Sequence, residues 1–206
     1  MGTISIIGSG GMAAAIGGRI AKAGYTVEVA SRDLAKARAL AEQLGSGATT
    51  GTYGAAPTGD IVILAVPYAH AAAVVAEYGG ALDGKVIVDI TNTASPDLTG
   101  LVSPVGSSGA QEIAKIAPAG AHVVKAFNTI FSHVLAKGGR LDAFIAAEDP
   151  EAKARVSTFI GSLGLRPLDV GGLQMAQTLE ALGLMMIGLA KNGARSWDIA
   201  LNVDIG

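Results

Sequence analysis

The sequence predicts an α/β fold built on a doubly wound, mostly parallel sheet. Apolar runs rich in Val and Ile alternate with alanine-rich helical segments, the order typical of parallel sheets covered by helices on both faces. Half of the residues are apolar and only 16% are charged, so the chain can bury the continuous apolar strands of such a sheet. Glycines cluster directly after the first strand. Together these observations favour a Rossmann-type domain with a C-terminal helix.

Local signals place the individual elements. Asp149-Pro150 is typical of a helix start, and Gly24, Gly45 and Gly164 follow helical runs where a left-handed stop is favoured. The predicted strands are 3–7, 26–30, 61–66, 86–90, 122–126, 144–147 and 166–170, with a short strand near 48–50. The predicted helices are 12–23, 34–44, 69–78, 110–116, 150–163 and 174–191. Residues 93–109 are rich in Ser, Pro and Gly and indicate a surface loop. We expect residues 1–206 to form a single domain.

The glycine pattern at the first strand end has the spacing of a dinucleotide-binding fingerprint, Gly8-x-Gly10-x-x-Ala13. Gly8 permits a tight turn, Gly10 lets the backbone approach a pyrophosphate, and Ala13 lets the helix pack closely on the strand. The helix N-terminus then offers unpaired N–H groups and a positive dipole end to the phosphates. In a chain with 29 glycines the spacing alone is weak, but its place between a strand and a helix makes it informative.

The end of the second strand indicates which dinucleotide is bound. An NAD-specific site places an acid there to hold the ribose 2′-hydroxyl, whereas this chain has Ser31 and Arg32, with Lys36 one turn later. A hydroxyl, a guanidinium and an ammonium suit the 2′-phosphate of NADP. Asp33 dilutes the positive field. We therefore predict NADP(H) as the cofactor.

Composition excludes several other classes of function. The net charge of −2 gives no reason to expect a nucleic-acid partner, and the absence of cysteine excludes disulfides, thiolate catalysis and Cys-based metal sites. Every apolar run of about 18 residues is interrupted by Gly or a charge, and no basic leader precedes the first strand. We expect a cytoplasmic protein with no membrane partner and no metal.

Few residues suit acid–base work. His70 lies in the first turn of a predicted helix, His122 enters a strand at the wrong end, and His133 only weakly suggests a pocket rim. Asp89 lies inside an apolar strand and is expected to tie down a neighbouring loop. We therefore predict no catalytic side chain. Hydride transfer between planar cofactors fits this scarcity, because orientation and desolvation supply most of its rate enhancement.

The chain resembles the NADP-dependent coenzyme F420 reductase family and the related oxidoreductase domains of metalloreductases over nearly its whole length. The segments that carry the resemblance are Gly8 to Met12, Ser31-Arg32 with Lys36, Leu64 to Pro67, Val124 to Thr129 and Gly164 to Gly171. A C-terminal helix containing Glu180 and Leu182 is similar in type. The resemblance implies that this helix, at about 174–191, closes the acceptor pocket or a homodimer interface.

The resemblance also implies a set of cofactor contacts. Ser9, Gly11 and Met12 would face the pyrophosphate or ribose, Val66 and Pro67 the span between adenosine and nicotinamide, and Asn92, Ala126 and Asn128 the nicotinamide end. An apolar wall from Phe127, Ile130 and Phe131 is expected there. Archaeal family members carry a histidine at the position of Asn128, whereas the metalloreductase domains carry Phe-Asn as here. A flavin is therefore as plausible a hydride acceptor as F420.

Two alternatives stay open. Reductases of small imines or hydroxyacids have a similar N-terminal pattern, but they add a large helical domain, and after Val170 this chain has room for only one long helix and a tail. Lys125 at a strand end could serve as the catalytic lysine of a hydroxyacid enzyme, although its spacing argues against this. A non-enzymatic NADP(H)-sensing module is the second alternative, because catalytic groups are scarce.

Overall fold

A computed structural model describes residues 2–204 of the chain. The strands are β1 Thr3–Ile7, β2 Thr26–Ala30, β3 Thr49–Thr50, β4 Ile61–Leu64, β5 Val86–Asp89, β6 His122–Lys125, β7 Asp142–Ala147 and β8 Arg166–Gly171. The helices are α1 Gly11–Lys22, α2 Leu34–Leu44, α3 Tyr68–Tyr78, α4 Gly109–Ile116, α5 Ser132–Lys137, α6 Pro150–Ser162 and α7 Ala176–Gly188. Short 3₁₀ turns lie at Gly79–Leu82 and Leu173–Met175, and a π turn at Leu189–Gly193 extends α7.

The eight strands form one sheet in the order β3-β2-β1-β4-β5-β6-β7-β8. The first six are parallel, β7 runs antiparallel to β6, and β8 runs parallel to β7. The strand order reverses between β1 and β4, which creates a crevice outside their carboxyl ends. This topology confirms the predicted Rossmann-type, mostly parallel α/β fold.

Helices cover both faces of the sheet, and adjacent strand residues point to opposite sides. Ile6 packs with the α1 residue Ile16 in one apolar cluster, whereas Ile7 packs with Val75 of α3 in the other. All four side chains are buried. Because both faces are apolar, the strands read as continuous hydrophobic runs in the sequence.

Three predicted strands end earlier than expected. β4, β5 and β6 stop at Leu64, Asp89 and Lys125, one or two residues before the predicted ends. The residues that follow leave the sheet and form the loops at the crevice. The predicted helix 174–191 begins as a 3₁₀ turn and ends as a π turn, and the short helix α5 was not predicted.

Helical turns continue from Leu173 to Gly193, and these 21 residues are long and apolar enough to cross a membrane by length and composition alone. Glu180, near the middle of this segment, is fully buried and lies 2.9 Å from the ammonium of Lys125 in β6. Core helices of globular proteins pass the same composition test. The ion pair to β6 shows that this segment packs on the sheet.

Candidate functional site

Gly8 shapes the loop that leaves β1. Its φ of +126° lies outside the range favoured by L-residues, and a Cβ there would stand 2.1 Å from the carbonyl oxygen of Ala65. The Gly8 N–H donates to the Ala30 carbonyl at 2.8 Å, which keeps the loop against β2. The fold therefore requires glycine at this position, for close approach to the β4 loop as well as for the turn.

Gly10 differs, because a Cβ there would meet no atom within 4 Å. Packing within the protein therefore leaves open the space that a pyrophosphate would need. Gly10 is the N-cap of α1, no side chain caps this helix, and its first turn holds no acid. The exposed end of α1 is thus suited to an anion. Ala13 is fully buried, as close packing of helix on strand demands.

A cavity of about 420 Å³ lies beside this helix end. Eight of the predicted cofactor residues line it: Gly8, Ser9, Gly10, Ser31, Arg32, Lys36, Val66 and Pro67. The hydroxyls of Ser9 and Ser31 are 3.2 Å apart, so the loops after β1 and β2 are joined at the cavity wall.

The cations at this cavity are not equivalent. The Lys36 ammonium lies 3.4 Å from Asp33, which also accepts a hydrogen bond from the Lys36 N–H at 3.1 Å. That backbone N–H is the main cause of a lowered Asp33 pKa, so Asp33 remains a carboxylate and offsets the Lys36 charge. Arg32 is exposed and forms no ion pair within residues 2–204. Arg32 is therefore the cation available to a 2′-phosphate.

A second cavity of about 500 Å³ lies across the carboxyl ends of β4 and β5. Met12 and Asn92 line it, and Val66 and Pro67 line both cavities, which therefore adjoin each other in the crevice. Its apolar walls come from Val66, Ile90 and Val102. The expected wall of Phe127, Ile130 and Phe131 is absent from these linings; Phe127 and Ile130 are buried in the core instead.

Three predicted residues lie outside the cavity linings. Gly11 is exposed near the Ser132 hydroxyl, Ala126 is fully buried, and Asn128 is nearly so. Their contacts with a cofactor stay predictions.

Asn128 is linked to the crevice lining by hydrogen bonds with Asn92. Its Nδ2 donates to Asn92 Oδ1 at 2.9 Å and to the Leu179 carbonyl at 2.8 Å, while Asn92 Nδ2 donates to the Asn128 carbonyl at 2.8 Å. The buried Oδ1 of Asn128 has no hydrogen-bond partner within residues 2–204. Phe127, directly before it, has a φ of +61°, a strained value for a bulky residue. The backbone after β6 is thus held in an unusual shape beside the crevice.

The three histidines lie away from the crevice lining. His70 is exposed on α3, His122 lies at the start of β6, and His133 stacks on Phe131. Tyr68 does line the larger cavity, and burial, followed by the nearby Glu180 carboxylate, raises its pKa. It follows Pro67 at a strand end, a signal that could have identified it in the sequence.

Lys125 takes part in a buried ionic cluster. Its ammonium donates to Asp89 at 2.8 Å, to Glu180 at 2.9 Å and to the Thr91 carbonyl at 2.5 Å. All three donors are used and the side chain is fully buried, so Lys125 is not available to a substrate. Asp89 also accepts from the Thr91 N–H at 2.9 Å and so ties down the next loop, as expected. The part played by Glu180 was not predicted.

Comparison with known proteins shows which family the chain resembles. Residues 3–93 match the family model described as NADP oxidoreductase, coenzyme F420-dependent. The F420-dependent NADP reductase of Methanocaldococcus jannaschii is 31% identical over 143 residues, which cover 66% of this chain and 64% of that protein. The chain is similar to this family in these segments. Metalloreductase STEAP3 of Rattus norvegicus is 29% identical over 187 residues, 89% of this chain and 37% of that protein. The chain thus spans less than two thirds of either relative.

Solved structures share the fold at lower identity. A proposed F420-dependent NADP reductase from Arthrobacter is 24% identical, with a TM-score of 0.85 and 98% of each chain covered. An imine reductase from Bacillus cereus is 16% identical, with a TM-score of 0.69 over 95% of this chain and 64% of that one. Both share the architecture described above.

Proposed function

We propose that this chain transfers hydride between NADPH and a flavin-like or deazaflavin acceptor such as F420. The observation that carries the proposal is the crevice of two adjoining cavities at the carboxyl ends of β1, β4 and β5. One end holds the uncapped helix α1 and the free Arg32, and the other end is largely apolar. A phosphate-rich cofactor fits the first end, and a planar ring fits the second.

The residues at the first end would hold the cofactor by charge and hydrogen bonding. Arg32 would donate two hydrogen bonds to the 2′-phosphate. The Ser9 and Ser31 hydroxyls, which are hydrogen-bonded to each other, would bind the remaining phosphate oxygens. The N–H groups at the start of α1, beside Gly10, would bind the pyrophosphate. When bound, NADPH supplies the hydride from its nicotinamide ring.

The apolar end would orient the two rings and exclude water. Val66, Ile90 and Val102 present hydrocarbon surface, and the Asn92 amide is held by its hydrogen bonds to Asn128. Alignment and exclusion of water are the main demands of hydride transfer, so no acid or base is required of the protein.

Steady-state NADPH oxidation with F420, FMN, FAD and ferric chelates tests the proposal. Turnover with F420 or a flavin is expected, and NADH should be a far poorer donor. Tight NADPH binding without turnover on any of the four would reject the proposal and favour a sensing module.

Reduction of a small imine is the second candidate, and Tyr68 favours it. An imine substrate needs a proton as well as a hydride, and the Tyr68 hydroxyl, with its raised pKa, stays protonated on the wall of the larger cavity. NADPH oxidation with cyclic imines, which a flavin reductase would not reduce, separates the two candidates.

We also infer a homodimer in the cytoplasm. Met185 and Leu189 near the end of α7 are 54% and 45% exposed, and Trp197 beyond them is 46% exposed, an apolar surface that a second copy would cover. Light scattering coupled to size-exclusion chromatography would report twice the chain mass. A monomeric mass at micromolar concentration would reject the dimer.

A further inference from the structure

Both ends of the loop between β5 and α4 meet at one carboxylate. Glu180 Oε2 accepts a hydrogen bond from the Thr93 hydroxyl at 2.8 Å and from the Gly109 N–H at 3.1 Å. Thr93 lies near the start of this loop, Gly109 directly follows it as the first residue of α4, and all three residues are buried. A single side chain on α7 therefore fixes where residues 93–109 leave the core and where they return.

The first part of this loop forms a wall of the larger cavity. Ala94, Pro96 and Val102 line that cavity. The segment folds back on itself, since the Val102 N–H donates to the Thr93 carbonyl at 2.7 Å and Ala94 pairs with Leu101. Its position relative to the crevice thus depends on Thr93, the residue bound to Glu180.

The loop is tightly packed where it meets α4. A Cβ on Gly109 would lie 2.9 Å from the Thr93 methyl group and 3.0 Å from the ring of Tyr68. Thr93, Gly109 and Tyr68 are therefore in close contact, and Tyr68 is itself part of the cavity wall. A displacement at Glu180 would move both the loop and this ring.

Lys125 holds Glu180 in place. Its ammonium lies 2.9 Å from Glu180 Oε1 on the side opposite the loop contacts, and it is anchored in turn by Asp89 of β5 at 2.8 Å. The Glu180 carboxylate is thus oriented by a group fixed in the sheet, which leaves Oε2 directed at the two loop ends. Removing either partner would leave a buried charge without its counter-charge.

We propose that Glu180 is a positioning residue that sets the affinity for the hydride acceptor by fixing the wall of Ala94, Pro96 and Val102. The proposal rests on the proposed function in one respect, the identity of this cavity as the acceptor site. The wall carries apolar side chains, so the ligand surface that it meets is the apolar part of a planar ring system.

Thr93→Val gives the sharpest test, because it keeps the side-chain volume and removes only the hydroxyl that donates to Glu180. Hydrogen exchange of amides 94–102 should accelerate by roughly five-fold, the factor expected for one lost hydrogen bond. The KM for FMN should rise by a similar factor of roughly five, while kcat and the NADPH Kd change by less than about two-fold.

Asp149→Ala is the matched control. It removes a part-buried N-cap hydrogen bond of 2.7 Å at α6, outside the loop, and so lowers overall stability without touching Glu180. Exchange of residues 94–102 should be as in the wild type. Acceleration in both variants, or in neither, would overturn the proposal.

Glu180→Gln provides an independent variant that keeps the shape and removes the charge facing Lys125. It should loosen the loop at least as much as Thr93→Val, and wild-type exchange in this variant would also overturn the proposal. Hydrogen exchange needs no turnover. If none of the acceptors supports NADPH oxidation by the wild-type chain, the proposed function fails. The exchange data still decide the role of Glu180 in that case.

Discussion

Gly8 and Ala65 approach each other so closely that a Cβ on Gly8 would stand 2.1 Å from the Ala65 carbonyl oxygen. This contact joins the loops after β1 and β4 at the point where the strand order reverses. Gly10, two residues later, has open space where its Cβ would be. The two glycines of the fingerprint thus serve different purposes, one in the fold and one at the cofactor cavity.

Gly8→Ala should therefore destabilise the protein much more than Gly10→Ala. At Gly8 the clash is with backbone and φ is +126°, so we expect a loss of more than about 3 kcal/mol in the free energy of unfolding. At Gly10 the loss should be only about 1 kcal/mol, because alanine is a poorer N-cap than glycine, while NADPH affinity falls by at least about ten-fold because the methyl group occupies phosphate space. Urea denaturation and fluorescence titration with NADPH measure the two effects. Equal losses of stability would contradict this division.

Arg32→Ala should weaken NADPH binding far more than NADH binding. The guanidinium is exposed and unpaired within residues 2–204, so its contact with the 2′-phosphate is worth about 1.5–3 kcal/mol, or roughly 10- to 150-fold in Kd. Arg38→Ala, on the same helix as Lys36 and also exposed, removes the same charge outside the cavity lining and is the control. Equal weakening of NADPH and NADH would reject Arg32 as the 2′-phosphate ligand.

Lys36→Ala should have a smaller effect on NADPH binding than Arg32→Ala. Asp33 lies 3.4 Å from the Lys36 ammonium and offsets its charge, so we expect a loss in NADPH affinity of only about 0.5–1 kcal/mol. Isothermal titration of both variants at one ionic strength gives the comparison. A larger loss for Lys36→Ala would show that the 2′-phosphate displaces Asp33 from Lys36.

Local sequence signals predicted most of the fold and most of the residues that line the smaller cavity. The fingerprint at Gly8 and the Ser31-Arg32 pair can be identified because each depends on residues that are neighbours in the chain. The meeting of Lys125 and Glu180 depends on packing between β6 and α7, which no local period encodes. In the sequence, this ion pair was visible only as a charge inside an apolar strand and a lone acid in an apolar helix.

The reversal of β7 was equally hard to foresee. Residues 126–141 connect β6 to β7, and a segment of this length could also carry a parallel crossover, yet the two strands pair antiparallel. The predicted apolar wall of Phe127, Ile130 and Phe131 was also misplaced. Phe127 adopts a positive φ, and its ring lies in the core instead of the crevice.

Asp142→Asn should destabilise the protein at neutral pH and progressively less in acid. Arg166 donates to both Asp142 oxygens at 2.7 and 2.6 Å, and these bonds are the main cause of a lowered Asp142 pKa. A carboxylate with a depressed folded-state pKa contributes its full stability above the unfolded value near 3.9, and loses it as the pH falls through the folded value. We expect a difference of about 1–3 kcal/mol from the wild type at pH 7 that shrinks below about pH 4. Urea denaturation of the variant and the wild type at pH 7 and below about pH 4 measures this difference. A difference that does not change with pH would show that the ion pair is not the source of the lost stability.

Tyr68→Phe distinguishes the two candidate reactions. The substitution keeps the ring that packs on Gly109 and removes the Tyr68 hydroxyl from the wall of the larger cavity. Hydride transfer to a flavin or deazaflavin needs no proton from this group, so kcat should stay within about two-fold of the wild type. Imine reduction would lose the roughly 10²–10⁴-fold contribution of a general acid. Presteady-state NADPH oxidation by Tyr68→Phe, with His70→Ala as an exposed control on the same helix, measures the effect. A loss of a hundred-fold or more with FMN, absent in the control, would place Tyr68 in the chemistry and contradict transfer by positioning alone.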